Sequence, residues 1–442
     1  MREMKDSGIA WIGEIPKDWS VIPLKYLLSN EIDSLRVGPF GSELKSTDFT
    51  DEGYWVYNQR TVLDYNFTTN DTYISEEKYR TMAGFQIRPK DILITTRGTI
   101  GRICRISDKF YKGVIHPCII KFRINEDVVL YPYLELIFNS SSLFLTQLTY
   151  QSNATTIEVI YGGTLKNLMV PIPTDINLQK RISKYLMRRC NEIDNIIKDI
   201  QRQIEVLQEY KQSVITEAVT KGLDKDVAMK DSGIDWIGNI PHHWTVKKVK
   251  YLGDSRNGLT YKPIDIVDEN EGTLVLRSSN IQDGKLVFDD NVYVSSRIPK
   301  NLKVKKGDIL ICSRNGSREL IGKNTLIDDV DATFGAFMMI YRCIAPRFIY
   351  YVLNSEVFKY YLGTFFTSTI NQLTGSNFNN MKIVFCPDEE ERQKITNYLD
   401  EKCSKIDVII ADKQKQLDTL IEYKKSLIYE YVTGKKEVPM DA

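Results

Sequence analysis

A fourteen-residue phrase is written twice in this chain. DSGIAWIGEIPKDW fills positions 6–19 and DSGIDWIGNIPHHW fills 231–244, with ten of the fourteen positions identical. A phrase this long does not recur by chance, so the fold must accommodate two copies of one unit. The copies extend further. LKYL (24–27) answers VKYL (249–252) at the same offset of 225, and DILITTRGTIG (91–101) answers DILICSRNGSR (308–318) at 217. ISKYL (182–186) and EYKQSVITEAVT (209–220) answer ITNYL (395–399) and EYKKSLIYEYVT (422–433) at 213. The shrinking offset puts the insertions and deletions inside each half. Each half reads as a fixed lead-in, a variable middle and a fixed tail.

The tails carry the clearest periodicity. No Gly or Pro occurs from Asn177 to Thr220, and apolar residues recur at alternating three and four steps: Cys190, Ile193, Ile197, Ile200, Ile204, Leu207, Val214 and Ala218. That is a heptad seam with Lys211 as its polar entry. The second copy runs Cys403, Ile406, Ile410, Lys413, Leu417, Leu420, Lys424, Leu427 and Tyr431, so Lys424 repeats the place of Lys211. Pro387 followed by Asp388, Glu389, Glu390 and Glu391 is a helix start, with acidic groups at the positive end of the dipole. Helices of roughly 40 residues extend about 60 Å. A seam so long and narrow predicts a helix partner, the competing reading being burial against its own domain.

The middles alternate β-branched and aromatic residues between Gly, Asn and Asp, as in GYWVYNQRTV and DILITTRGTI, which predicts strands and loops. One helix is expected in each, over 131–148 and 346–362. The expected class is α+β, with these boundaries: 1–174 a globule with its lead-in, 175–221 a long helix, 222–230 a linker, 231–387 a second globule with its lead-in, and 388–434 a second long helix.

Composition excludes more than it selects. Hydrophobic content of 42% and charged content of 26% describe a globular chain, and the apolar runs are too short to span a membrane. The amino terminus has no signal-peptide pattern, and seven cysteines without a Cys-x-x-Cys pair suit a reducing cytoplasm. Three histidines leave little material for a zinc or His-based centre. There is no Walker loop, no Gly-x-Gly-x-x-Gly turn, no Asn/Asp-Pro-Pro-Tyr/Phe segment and no metal-ligand cluster. Chemistry, if any, belongs to a partner.

The net charge is only +1, yet charge is concentrated. Arg88–Arg123 holds nine Lys/Arg against two Asp/Glu, and Arg297–Lys323 holds eight against two. Each island carries a glycine loop with an arginine: Thr95-Thr96-Arg97-Gly98-Thr99, and Ser313-Arg314-Asn315-Gly316-Ser317. Arginine with small hydroxyl and amide side chains supplies donors for phosphates and base edges. A single basic run is usually a solvated face; two equivalent islands fused to glycine loops point to a polyanion. The expected contacts are Arg97, Thr99, Arg102, Lys109 and Lys112 in the first island, and Arg314, Asn315, Ser317, Arg318 and Lys323 in the second. A second candidate strip runs through Asn58, Gln59 and Arg60, aligned with Arg277, Ser278 and Asn280. Its polar residues differ between the copies, as two readers of different sequences would, and as any surface loop would.

Together the lead-in DSGI-x-WIG-x-IP-x-x-W, GPFGSELK (38–45), DIL-I-x-x-R-G (91–98) and the paired tails resemble the specificity subunits of type I restriction–modification systems, over essentially the whole chain. The resemblance implies two target-recognition domains, each reading half of a split, asymmetric double-stranded DNA site, and two long helices packed as an antiparallel coiled coil between them. It implies a non-catalytic chain without cofactor of its own. Two methyltransferase subunits would bind S-adenosylmethionine, and restriction subunits would use ATP and Mg. The lead-in residues Trp11, Trp19, Trp236 and Trp244 are expected to pack at the ends of the helical spacer and to form part of the platform for the methyltransferases, the competing reading being core packing without partner contact. The second half has no evident GPFGS counterpart, its equivalent region reading SRNGLTYKP (255–263). A structural turn and a DNA contact both fit Gly38–Leu44. The competing classes are a self-contained methyltransferase or nuclease, and a coiled-coil adaptor that never touches DNA.

Overall fold

The computed structural model describes all residues except 1, 42, 142, 153–158, 296, 366–371 and 440–442. Two compact units emerge, Met1–Ile200 with Lys415–Ala442, and Gln201–Gln414. This differs from the linear division read from the sequence. The long helices Ile176–Lys221 and Glu389–Val432 are each unbroken, and each unit takes a segment of both.

In the first unit, the lead-in is a hairpin, Met4–Asp6 paired antiparallel with Glu14–Pro16. Gly13 takes φ +70 where the hairpin turns, a backbone that side chains resist. Trp19–Pro23 then pairs with Met169–Pro173, closing the globule start to end. Two four-stranded sheets form the middle. One runs Leu35–Val37, Ile119–Phe122, Ile92–Thr95, Ile103–Arg105; the other runs Gly113–Ile115, Tyr54–Tyr57, Tyr73–Ile74, Phe49–Thr50, with its first pair parallel.

The second unit repeats these pairings and adds a short hairpin, Ile281–Gln282 with Lys285–Leu286. Its lead-in hairpin is Met229–Asp231 with Asn239–Pro241, its closing pair Thr245–Lys248 with Lys382–Phe385. One sheet is Gly253–Asn257, Met338–Cys343, Ile309–Cys312, Asn324–Leu326; the other is Ile266–Val267, Tyr293–Val294, Thr273–Leu276, Ala332–Phe334.

The repeated DIL strand explains its own sequence. Ile92 and Ile94 face one apolar cluster while Leu93 faces another; Ile309 and Ile311 are divided from Leu310 and Cys312 in the same way. A strand covered on both faces reads as a continuous apolar run. The aspartate before it is buried and paired: Asp91 accepts from Arg123 Nε at 2.5 Å, and Asp308 accepts from Arg342 Nε and Nη2 at 2.6 Å each.

The expected helices over 131–148 and 346–362 are each broken in two. In the first, Tyr131–Glu135 passes into a wider turn at Leu136–Ser140, and Leu143–Ser152 starts afresh after Ser141. The Ser141 hydroxyl donates back to the Ile137 carbonyl and accepts from Leu143 N–H, competing with the helix ladder. In the second, Pro346–Leu353 and Glu356–Phe365 part at Asn354-Ser355, where Ser355 likewise bonds back to Val352.

Within each unit the two long-helix segments run antiparallel. In the first, Asp194 meets Lys424 and Tyr185 meets Tyr431; in the second, Lys211 meets Asp407 at 2.6 Å. The seam residues Ile193, Ile200, Val214, Ile406, Leu417 and Leu427 are buried, and Ile197, Ile204, Leu207, Ile410 and Leu420 are half-buried. The second helix starts as its sequence says: Asp388 accepts from Glu391 N–H at 3.0 Å, and that bond holds its carboxyl below the usual range. No helix among the described residues is long and apolar enough to cross a membrane.

Candidate nucleic-acid interface

In each unit the ends of three strands and one preceding loop converge on one edge. In the first unit, His116 N–H donates to Tyr57 O at 3.0 Å, Thr96 N–H to Cys118 O at 3.0 Å, and Gly38 N–H to Ile119 O at 2.9 Å. Gln59 Nε2 lies 3.3 Å from where a side chain on Gly98 would begin. The glycine loop and the Asn58–Arg60 strip are therefore one surface. The second unit builds the same edge. Leu259 N–H donates to Phe334 O at 2.7 Å, Gly335 N–H to Leu276 O at 3.0 Å, Arg314 N–H to Phe337 O at 3.1 Å, and Asn315 Nδ2 to Ser278 Oγ at 3.0 Å.

The edge has local causes. Asn58 caps the helix Gln59–Asp64 by accepting from Thr61 N–H, so Gln59 and Arg60 stand on its first turn. Gly98 takes φ +62, as a tight loop requires. Gly316 does not adopt a positive φ; Asn315 Oδ1, accepting from Ser317 N–H at 3.0 Å, makes that turn instead.

Arg97, Thr99, Arg314 and Ser317 are exposed on these loops, and Arg97 has no ion-pair partner among the described residues. The Arg314 guanidinium lies 5.2 Å over the ring of Phe337, itself 58% exposed. Arg318 is exposed on the short turn Arg318–Leu320. Arg102 is exposed at its tip but donates to the Asn139 carbonyl. Arg60 is exposed and ion-paired to Asp71 at 3.3 Å, beside a polar crevice of about 460 Å³ lined by Asn58, Thr61, Asp64 and Asn66.

Several expectations are corrected. Asn280 is fully buried: its Oδ1 accepts from Arg277 N–H, and its Nδ2 donates to Val287 O and Asn291 Oδ1, so it holds the turn and presents nothing outward. Lys323 is half-buried and spends its ammonium on the Ile281 carbonyl at 3.0 Å. Lys109 and Lys112 are exposed but precede the strand Gly113–Ile115. Because that strand runs parallel to Tyr54–Tyr57, they stand at the end opposite Asn58. The basic island is also thinner than its count: Arg123 and Lys121 serve Asp91, while Lys90 and Arg105 both pair with Glu126.

The lead-in tryptophans divide. Trp19 and Trp244 are buried and unavailable to a partner. Each packs on the turn ending a long helix, Trp19 against Gly434 and Trp244 against Gly222. Trp244 Nε1 also donates to Glu391 at 3.1 Å. Trp11 is half-buried, and Trp236 is 43% exposed, stacked on Tyr360 at 4.3 Å.

Three elements of the edge had no sequence signal. A lone histidine, His116, sits between Arg97 and the Gly38 loop; burial first, and the Arg97 charge second, hold its imidazole below the ordinary value. Phe337 occupies the equivalent loop of the second unit. Gly258 is the counterpart of Gly38, for a side chain on either would strike the neighbouring strand backbone, 2.1 Å from Gly335 O and 2.4 Å from His116 O. Gly38 is thereby a structural close approach, Phe40 is exposed beside it, and Ser42 lies outside the described residues. No group of His, Cys, Asp and Glu suited to a metal ion occurs among the described residues.

Residues 41–206 match the family model described as the type I restriction modification DNA specificity domain. A specificity subunit of the type I restriction enzyme MjaVIII from Methanocaldococcus jannaschii is 25% identical over 96% of this chain and 94% of its own length. The EcoBI specificity subunit from Escherichia coli is 22% identical over 73% of this chain and 68% of its own. A solved structure described as the structural basis of assembly and conformational transition of the type I R-M system superposes with a TM-score of 0.69 at 16% identity, covering 96% of this chain and 99% of that one. Fold and edge thus describe a duplicated chain with one candidate nucleic-acid edge in each unit. The chain is similar, over nearly all of its length, to specificity subunits of type I restriction–modification systems, and it shares the fold of a solved structure from such a system.

Proposed function

We propose that this is the non-catalytic recognition subunit of a restriction–modification complex, reading a bipartite asymmetric DNA site with one unit on each half. The observation that carries the reading is the repeated edge. The same four loops converge in both units, bearing arginines, amides and hydroxyls whose identities differ between copies. Phosphate contacts would position the units, and base-edge contacts in the major groove would select sequence. The long helices would act as an antiparallel coiled-coil spacer setting the gap between half-sites.

Two methyltransferase subunits would dock on the lead-ins, through Trp11 and Trp236 rather than the buried Trp19 and Trp244. They would supply S-adenosylmethionine chemistry, and restriction subunits would supply ATP- and Mg-dependent translocation and cleavage, leaving this chain without a cofactor in the cytoplasm. Co-expression with its methyltransferase, followed by mapping of methylated adenines, tests this. The expected result is a split asymmetric motif; methylation at one continuous motif would defeat it.

A further inference from the structure

In each unit a carboxylate stands beside an arginine of the reading edge. Arg60 places Nη1 3.3 Å from Asp71 and Nε 3.9 Å from Asp64. Arg277 places Nη2 2.7 Å from the Asp290 carboxylate and 3.1 Å from its carbonyl oxygen. Asp71, also bonded to Asn58, and Asp290 lie on the same turn of the two units but one place apart in register, since Tyr73 pairs with Trp55 as Tyr293 pairs with Leu274. Asn58 and Arg277 hold one structural position, because Val56 and Tyr57 pair with Val114 and Ile115 as Val275 and Leu276 pair with Thr333 and Phe334.

These aspartates are exposed, so their ion pairs add little to stability. On a face turned toward phosphates, negative charge weakens binding. A use that offsets this is orientation. An unpaired arginine is drawn to the phosphate backbone, a contact blind to sequence. A guanidinium neutralised and held by a carboxylate loses that pull and presents its remaining N–H groups in a fixed direction: in Arg277 that leaves Nη1, because Nη2 serves Asp290 and Nε is buried.

We infer that Asp71 and Asp290 are positioning residues for sequence reading, aiming Arg60 and Arg277 at base edges and away from phosphates. The inference rests on the DNA-reading function proposed above. The test binds the full chain to a pool of duplexes with a randomised core and sequences the bound fraction. Wild type should enrich a split motif. Asp71→Asn should lose about tenfold in discrimination at positions within one half-site only, and Asp290→Asn within the other only, with total affinity for the pool unchanged or raised. Arg60→Lys and Arg277→Lys, which lack the planar fork, should blur the same positions. An unchanged motif in both aspartate variants, or a uniform loss of affinity with the motif intact, would overturn the inference. A wild-type chain enriching no motif would instead overturn the DNA-reading function itself.

Discussion

At the scale of the residue, burial separates groups that the sequence could only pool. Arg97 and Arg314 stand exposed on equivalent loops, whereas Asn280, from the neighbouring strip, is sealed inside its turn. Arg97→Ala and Arg314→Ala should each weaken DNA binding by about 1–3 kcal/mol without altering the melting temperature. Asn280→Ala should leave buried partners unpaired and cost roughly 1–3 kcal/mol of stability. Fluorescence anisotropy and thermal unfolding on the same variants separate these effects, and wild-type melting of Asn280→Ala would refute the buried role. His116 gives a pH signature. Its Nδ1 accepts from Cys118 N–H at 3.1 Å, and burial favours its neutral form. The folded value lies below the ordinary 6.5, so this stability is complete above pH 6.5 and is lost as pH falls from there toward the folded value. His116→Gln should flatten that decline; parallel melting-against-pH curves for variant and wild type would reject it.

At the scale of the element, the heptad seam was legible because its apolar residues recur at alternating three and four steps over many turns, and Lys211 and Lys424 were visible as duplicated interruptions. Their partners were not. Asp194 and Asp407 each lie one step beyond a seam isoleucine, among many helix carboxylates, and only the packing of the two segments brings them to their lysines. These half-buried pairs fix register within each unit. Asp407→Lys sets two ammonium groups together and should cost about 1–2 kcal/mol, and adding Lys211→Asp should recover most of it. A double variant no more stable than the single one would show that the pair does not specify the packing.

At the scale of the whole molecule, each core contains the end of the other half's helix. Val214, Ile215, Ala218 and Val219 complete the second core; Leu427, Ile428, Tyr431 and Val432, their equivalents at the offset of 213, complete the first. A chain ending at Lys225 would therefore lack the plug for its own core but carry an equivalent plug for a second copy. Asp194 and Lys211 would then meet each other across a twofold axis, the same Lys–Asp chemistry seen in both units. Residues 1–225 should form a symmetric dimer by light scattering and, with the methyltransferase, mark a palindrome built from the first half-site. Adding Asp194→Lys should weaken that dimer. A folded monomer, or marking of the parental asymmetric site, would show that the halves are not interchangeable.

The sequence alone determined the duplication, the mixture of strands and helices, the long helices and the position of the glycine loops. Repeats, periodicity and glycine turns are local signals that survive without coordinates. It could not determine that each compact unit closes with a segment of the distant helix. Nor could it show that Trp19 and Trp244 serve as core, that Asn280 and Lys323 turn inward, or that Asp71 and Asp290 face arginines. Those outcomes depend on contacts between residues far apart in sequence. For such residues the same polar or aromatic group is a surface contact or an internal fastening depending on which neighbour removes it from water.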